Sequence, residues 1–198
     1  MDPDLSHDVE LACGGDDEAL TRLLRAVDAE LRSSVSIQPL YRRELEVDDL
    51  LQVTYVEAFM RIGSLRDRTA SGFRAWLRRM LDTNLKDAIR ALERDKRPDA
   101  RRRVTHDGQG SSARTLFARV AGRDGSPSGA LSAREEVARL EAALGRLPES
   151  YRRVVEEVDL AERRVAEVAT ELGRSPGAVH LLVKRAHDRL REILAPGG

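Results

Sequence analysis

Apolar residues recur along most of this 198-residue chain at three- and four-residue steps, the spacing that places side chains on one face of an α-helix. The longest such run is Ser71–Arg97. Phe73, Leu77, Met80, Leu81, Ala88 and Leu92 mark one face, while Arg79, Lys86, Arg90 and Arg97 fall within a narrow arc on the opposite side. The pattern predicts a helix with one side in a core and a row of cations facing out. Ser71 is expected to cap it, its hydroxyl accepting a backbone N–H that the first turn leaves unpaired. Trp76 lies between the two faces, where its ring either packs inward or offers a stacking surface to a base. A row of cations also arises as an ordinary solvated face, so its meaning depends on the elements around it.

Similar periodicity predicts the rest of a first helical domain over residues 1–97. Residues 6–13 read as a short helix stopped by Gly14-Gly15. Asp16 or Asp17 then caps a longer one with Leu20, Leu23, Leu24, Val27 and Leu31 along one face. Val35–Arg43, with Pro39, reads as a break and the start of another turn. From Asp48 a third clear helix is expected, with Leu51, Tyr55, Phe59 and Ile62 inward and Asp49, Gln52 and Val53 on its other side. Its acidic first turn also suits the positive end of the helix dipole. The loop Gly63–Ala70 brings Arg66 and Arg68 to the start of the long helix.

Past Arg97 the pattern dissolves. Residues 98–131 mix Arg, Gly and Ser, with Leu116, Phe117 and Val120 as a brief apolar cluster, and read as a linker, flexible or partly ordered. A second domain over 132–198 opens with a capping box, Ser132 to Glu135. Val137, Leu140, Leu144 and Leu147 then form a stripe. Pro148 starts another helix, with Tyr151, Val154, Val155 and Val158 inward. Val165–Leu172 makes a short helix that Gly173 can end in a left-handed cap, and Ser175-Pro176 restarts a last helix. A short helix, a tight turn with Gly, and a second helix make a helix-turn-helix, whose second helix enters the major groove of DNA by its N-terminal end. Its outward positions project as Gly177, His180, Leu181, Lys184 and Arg185. His180, Lys184 and Arg185 can donate to phosphates or base acceptors.

Composition excludes several chemistries. The single cysteine, Cys13, leaves no disulfide framework or thiolate-rich zinc site, and the four histidines share no ligand spacing, so no cofactor or metal is expected. No apolar run approaches a membrane span and the acidic N-terminus is unlike a signal peptide, which implies a cytoplasmic chain. With few aromatics and no β-branched alternation, the fold class is all-α. Basic and acidic residues balance at 34 each, but unevenly: residues 1–60 carry a net −9, residues 61–123 a net +10 and residues 124–198 a net −1. An acidic front and a basic middle suit two kinds of surface, one of them polyanionic.

Four stretches, DDLLQVTYVEAF (48–59), FRAWLRRMLDTNLKDAIR (73–90), LEAALGRLPESYRRVV (140–155) and VAEVATELGRSPGAVHLLVKRAHDRLR (165–191), in this order and spacing, resemble a bacterial RNA polymerase sigma factor of the extracytoplasmic-function group. The resemblance covers roughly Asp16–Leu194. It implies a region 2 bundle and a region 4 helix-turn-helix domain joined by a flexible linker, in a protein that is not an enzyme. Its partners would be promoter DNA and core polymerase, through the clamp coiled coil of the largest subunit and the flap of the second-largest. Many relatives are also held by an anti-sigma factor, which no residue here identifies.

The resemblance implies site residues too. Asp48, Asp49, Gln52 and Val53 would dock on polymerase. Arg66 and Arg68 would line the loop that captures a flipped minus-10 base, and Trp76, Arg79, Asn84, Lys86 and Arg90 would help to hold the opened strand. Arg174, Ser175, Gly177, Ala178, His180, Leu181, Lys184 and Arg185 match the positions that read the minus-35 element. Three features depart from the family: Leu181 stands where polar or basic residues are usual, Glu156 and Glu157 stand where apolar ones are common, and Glu162-Arg163 replaces a Gly-Leu pair. A free-standing helix-turn-helix regulator is the alternative reading. It would normally need a dimer, and it leaves the first domain without a purpose.

Overall fold

The computed structural model describes residues 3–95, 108–121 and 130–195, and among them every regular element is helical. The chain divides into two compact units, Met1–Glu93 and Arg94–Gly198.

In the first unit, α1 (Pro3–Cys13) packs on α2 (Asp17–Ser34), which also meets α3 (Val47–Arg61). Single 3-10 turns at Pro39–Tyr41 and Ile62–Ser64 lead into α3 and out of it. The long α4 runs from Ala70 to Asp95. Asp16 caps α2 as expected, its carboxylate accepting the N–H groups of Glu18 and Ala19, and the five predicted apolar positions of that helix are all buried. On α4 Phe73, Leu77, Leu81, Ala88 and Leu92 are buried, with Met80 only partly so.

Two local expectations shift. Because α4 begins at Ala70, its cap is Thr69, whose hydroxyl accepts the Gly72 N–H at 3.0 Å; Ser71 lies inside the first turn. The other shift is larger: α3 is rotated from the predicted face. Leu51 and Ile62 are buried as expected, but Leu50, Val53, Thr54, Glu57 and Ala58 are buried with them, while Tyr55 is half-buried and Phe59 is 39% exposed. Two polar side chains make that rotation tolerable, since buried polar groups persist where they find partners. The Thr54 hydroxyl donates to the Leu50 carbonyl at 2.8 Å, and Arg61 pairs with Glu57 at 3.2 Å.

The second unit contains α5 (Gly108–Ala121), α6 (Ala130–Gly145), α7 (Glu149–Val155), α8 (Val165–Leu172) and α9 (Pro176–Leu194). Tyr151, Val154 and Val155 of α7 are fully buried, and α7 continues into one π-helical turn, Glu156–Leu160, which takes Val158 out of the core. Since α6 starts at Ala130, Ser132 lies within the helix and the predicted capping box does not form its start. The described part of the predicted linker is also helical: α5 buries Leu116, Phe117 and Val120 against its own unit. Arg97 and the remaining linker positions, 98–107 and 122–129, lie outside the described residues.

The departures around the helix-turn-helix have a physical account. Glu162 takes a left-handed backbone (φ 54°), the conformation the family's glycine would adopt without strain. Arg163 binds both Glu157 and Glu171 at 2.7 Å, so it gives the unusual Glu157 a partner. Gly173 ends α8 at φ 60°, and the Ser175 hydroxyl caps α9, accepting the Ala178 N–H.

Candidate nucleic-acid and polymerase interfaces

At the N-terminal end of α3, Asp48 is exposed and pairs with Arg32, which also meets Asp28 at 3.5 Å. Gln52, one turn on, is exposed beside it. Asp49 and Val53 point the other way and are buried, 6% and 3% exposed, because the rotation of α3 carries both positions into the core. The predicted docking set is therefore split, with only Asp48 and Gln52 at the surface.

Arg66 and Arg68 are exposed on the loop before α4. That loop is held by Asp67, whose carboxylate accepts the Thr69 hydroxyl at 2.7 Å and the Thr69 N–H at 3.1 Å. Those bonds hold the Asp67 carboxyl below the usual carboxylate range, despite a small opposing effect of desolvation. The loop lies so close to α4 that a Cβ on Gly72 would stand 2.3 Å from the Asp67 Cγ and 2.4 Å from its carbonyl oxygen. Gly72 thus sets where Arg66 and Arg68 emerge. The sequence reading missed both Asp67 and Gly72, and only the glycine in a first helical turn gave a hint.

Along α4, Arg79, Lys86 and Arg90 are exposed as the periodicity predicts. Arg90 lies 3.9 Å from Asp87, while Arg74 and Arg78 are engaged by Glu30 at 3.4 and 2.6 Å. The half-buried Trp76 tilts against Phe73 with ring centroids 6.1 Å apart, so part of it packs inward and part stays open. Asn84 departs from its expected place. It is completely buried and its amide donates to the Thr54 hydroxyl at 3.0 Å, tying α4 to α3. Its position one turn from the outward cations falls on the inner face of the helix.

In the second unit the helix-turn-helix forms as read, but its reading face is mostly closed. Leu181 is 0% exposed, Ala178 1% and Arg185 8%, and Ser175 and Gly177 are buried as well. Arg174, His180 and Lys184 are half-exposed. An apolar residue on each side of a helix favours enclosure on both. With Leu181 added to Val179, Leu182 and Ala186, α9 is packed by α5, α6, α7 and α8 together. Its cations are also engaged internally: Asp188 receives Lys184 at 3.0 Å, Arg185 at 3.4 Å and Arg191 at 2.5 Å. Burial pushes the Asp188 carboxyl up, but the Lys184 hydrogen bond and the three positive charges outweigh it and hold the group below its ordinary value. The spacing of Asp188 from Lys184 and Arg185, four and three residues, was a legible signal for this contact.

The same two units are what the family comparisons pick out. Residues 19–95 match the family described as Sigma-70 region 2, and residues 138–190 match Sigma-70, region 4. The chain belongs to the sigma-70 family. With this pairing of regions it is an RNA polymerase sigma factor of the extracytoplasmic-function group, a subunit that directs polymerase to promoters. Such factors bind core polymerase and promoter DNA, and they generally act by binding rather than by catalysis. Among solved structures, CnrH in complex with the cytosolic domain of CnrY is similar at 22% identity over 96% of this chain and 97% of that one, with a TM-score of 0.33. A comparison with curated proteins found no match. None of the described helices of this sigma factor is long and apolar enough to cross a membrane.

Proposed function

We propose that the first unit carries both tasks of promoter opening on adjacent helices. Asp48 and Gln52 dock on the clamp coiled coil of the largest polymerase subunit. Arg66 and Arg68 receive a flipped minus-10 base, and Arg79, Lys86 and Arg90, with the open edge of Trp76, hold the separated strand. Asn84 acts as a positioning residue that keeps α3 and α4 in register. The observation that carries this reading is the exposure of Asp48 and Gln52 on α3 together with Arg66, Arg68, Arg79 and Lys86 in the same unit. Unstacking a base costs a few kcal/mol, and phosphate contacts with capture of the base can offset it.

In the second unit Arg174, His180 and Lys184 supply the minus-35 contacts, with Arg185 joining once it exchanges Asp188 for a phosphate. The flap of the second-largest polymerase subunit is the expected partner of this unit. Binding of the purified chain to core polymerase tests the docking assignment. Asp48→Arg with Gln52→Ala is expected to weaken it at least tenfold while the free chain keeps its unfolding temperature; wild-type affinity in that double variant would refute the assignment.

A further inference from the structure

Helix α1 precedes the residues matched to region 2, yet it is fastened to both ends of the loop that carries Arg66 and Arg68. Leu5, Val9 and Ala12, at four- and three-residue steps, are buried, and α1 packs on α2 and on the 3-10 turn Ile62–Ser64. Asp8, only 7% exposed, takes the Arg22 guanidinium of α2 in a forked pair, at 2.5 and 3.3 Å. A fork fixes direction as well as distance, so α1 is held in one register on α2.

From that seat α1 reaches the loop twice. At its C-terminal end the Cys13 thiol donates to the Ile62 carbonyl at 3.5 Å, where the chain leaves α3. Burial pushes the Cys13 thiol up, and the nearby charge of Arg68 offsets only part of this, so the group keeps the proton it donates. Two turns earlier on α1, the Ser6 hydroxyl accepts the Ala70 N–H at 3.4 Å, where the chain enters α4. The first N–H groups of a helix have no partner within it. Thr69 serves Gly72 from next to the helix, while Ser6 serves Ala70 from a helix 64 residues earlier.

These contacts differ in kind from those inside the loop. Asp67 and Thr69 pin its middle, whereas α1 holds the point where it begins and the point where it ends. A loop ordered before its ligand arrives does not have to be ordered at the expense of binding.

We propose that α1 is a brace for the base-capturing loop, with Ser6 as a positioning residue that sets where Arg66 and Arg68 stand. This rests on the assignment of those two arginines to a flipped minus-10 base. The test uses holoenzyme reconstituted from core polymerase and each variant, with a pool of fork-junction DNA whose single-stranded part is randomised. Ser6→Ala deletes the acceptor but raises the helix propensity of α1, so the helix itself stays formed. It is expected to weaken binding of the forked DNA roughly threefold to tenfold, the size of a lost helix cap, with faster amide exchange in the loop. Affinity for core polymerase, which uses Asp48 and Gln52, is expected to stay at the wild-type value. In a chain carrying Arg66→Ala and Arg68→Ala, Ser6→Ala is expected to have no further effect, because it acts only through those side chains.

Wild-type DNA binding by Ser6→Ala, where loss of the two arginines does weaken it, overturns the brace and leaves the capture assignment standing. An equal loss from Ser6→Ala in the arginine-free chain overturns it as well. So does a parallel loss of core binding, since Ser6 would then serve the stability of the whole unit. If removing both arginines costs no DNA binding, the capture assignment falls and the brace with it.

Discussion

The two units treat their positive charge in opposite ways. In the first, Arg66, Arg68, Arg79 and Lys86 are exposed, and no carboxylate among the described residues pairs with them. In the second, Asp188 collects Lys184, Arg185 and Arg191, while Glu157 and Glu171 hold Arg163. A free cation meets a phosphate at the cost of its water and counterions alone. A clamped one must first exchange a carboxylate for the phosphate. Counting basic residues along a helix therefore measures capacity for a polyanion, and pairing decides how much of that capacity is available.

The sharpest way to break the comparison is to separate charge from scaffold in the first unit. Asn84→Ala removes the buried partner of Thr54 and is expected to destabilise the unit by about 1–3 kcal/mol in thermal unfolding. It should leave the salt dependence of single-strand binding unchanged in the folded protein. Gly72→Ala forces a Cβ against the Asp67 backbone and is expected to cost about 1–3 kcal/mol through overpacking. Because Arg66 and Arg68 are displaced with the loop, weaker single-strand binding should accompany the lower melting temperature.

Arg79→Ala with Lys86→Ala should do the reverse. Unfolding should change by no more than about 0.5 kcal/mol. The logarithmic salt slope of single-strand binding should become shallower by about 1.4, with less open complex formed on polymerase. An unchanged slope would mean that this row of cations touches no phosphate.

In the second unit the sign should invert. Asp188→Asn releases three cations and is expected to tighten duplex binding roughly two- to fivefold, the size of one or two exposed ion pairs. The smallest effect is on acid stability. The Asp188 carboxyl is lowered in the folded state, so its contribution is fully present above its unfolded value near 4 and is lost as pH falls through the lower folded value. Unfolding of the second unit should not register Asp188 between pH 7 and 5. Below about pH 4 it should lose a component that Asp188→Asn lacks.

Much of the architecture was readable because helical periodicity is strong where one face is apolar. The predicted inward leucines of α2, the face of α4, and the bounds of α8 with its Gly173 cap all appear in place. The face of α3 was not readable. Of the predicted stripe Leu51 and Ile62 are buried but Tyr55 and Phe59 are not, and the places of the latter are taken by Thr54 and Glu57, which find partners in Asn84 of α4 and in Arg61 of α3 itself. Asn84 shows the same limit: a polar residue near three outward cations reads as part of their row until the partner on α3 is known.

The amino-acid order by itself determined most of the helical segments, where Gly and Ser-Pro break them, and that acidic, basic and helix-turn-helix segments follow one another as in a sigma factor. These follow from local backbone preference and the spacing of apolar side chains, which need no distant contact. Tertiary packing alone decided that Asp48 and Gln52 face out while Asp49 and Val53 face in, that Leu181 and Arg185 are enclosed, and that α5 forms at all. Each of those outcomes depends on the partner a side chain meets across the fold, and burial of a polar or weakly helical segment is favourable only when that partner is present.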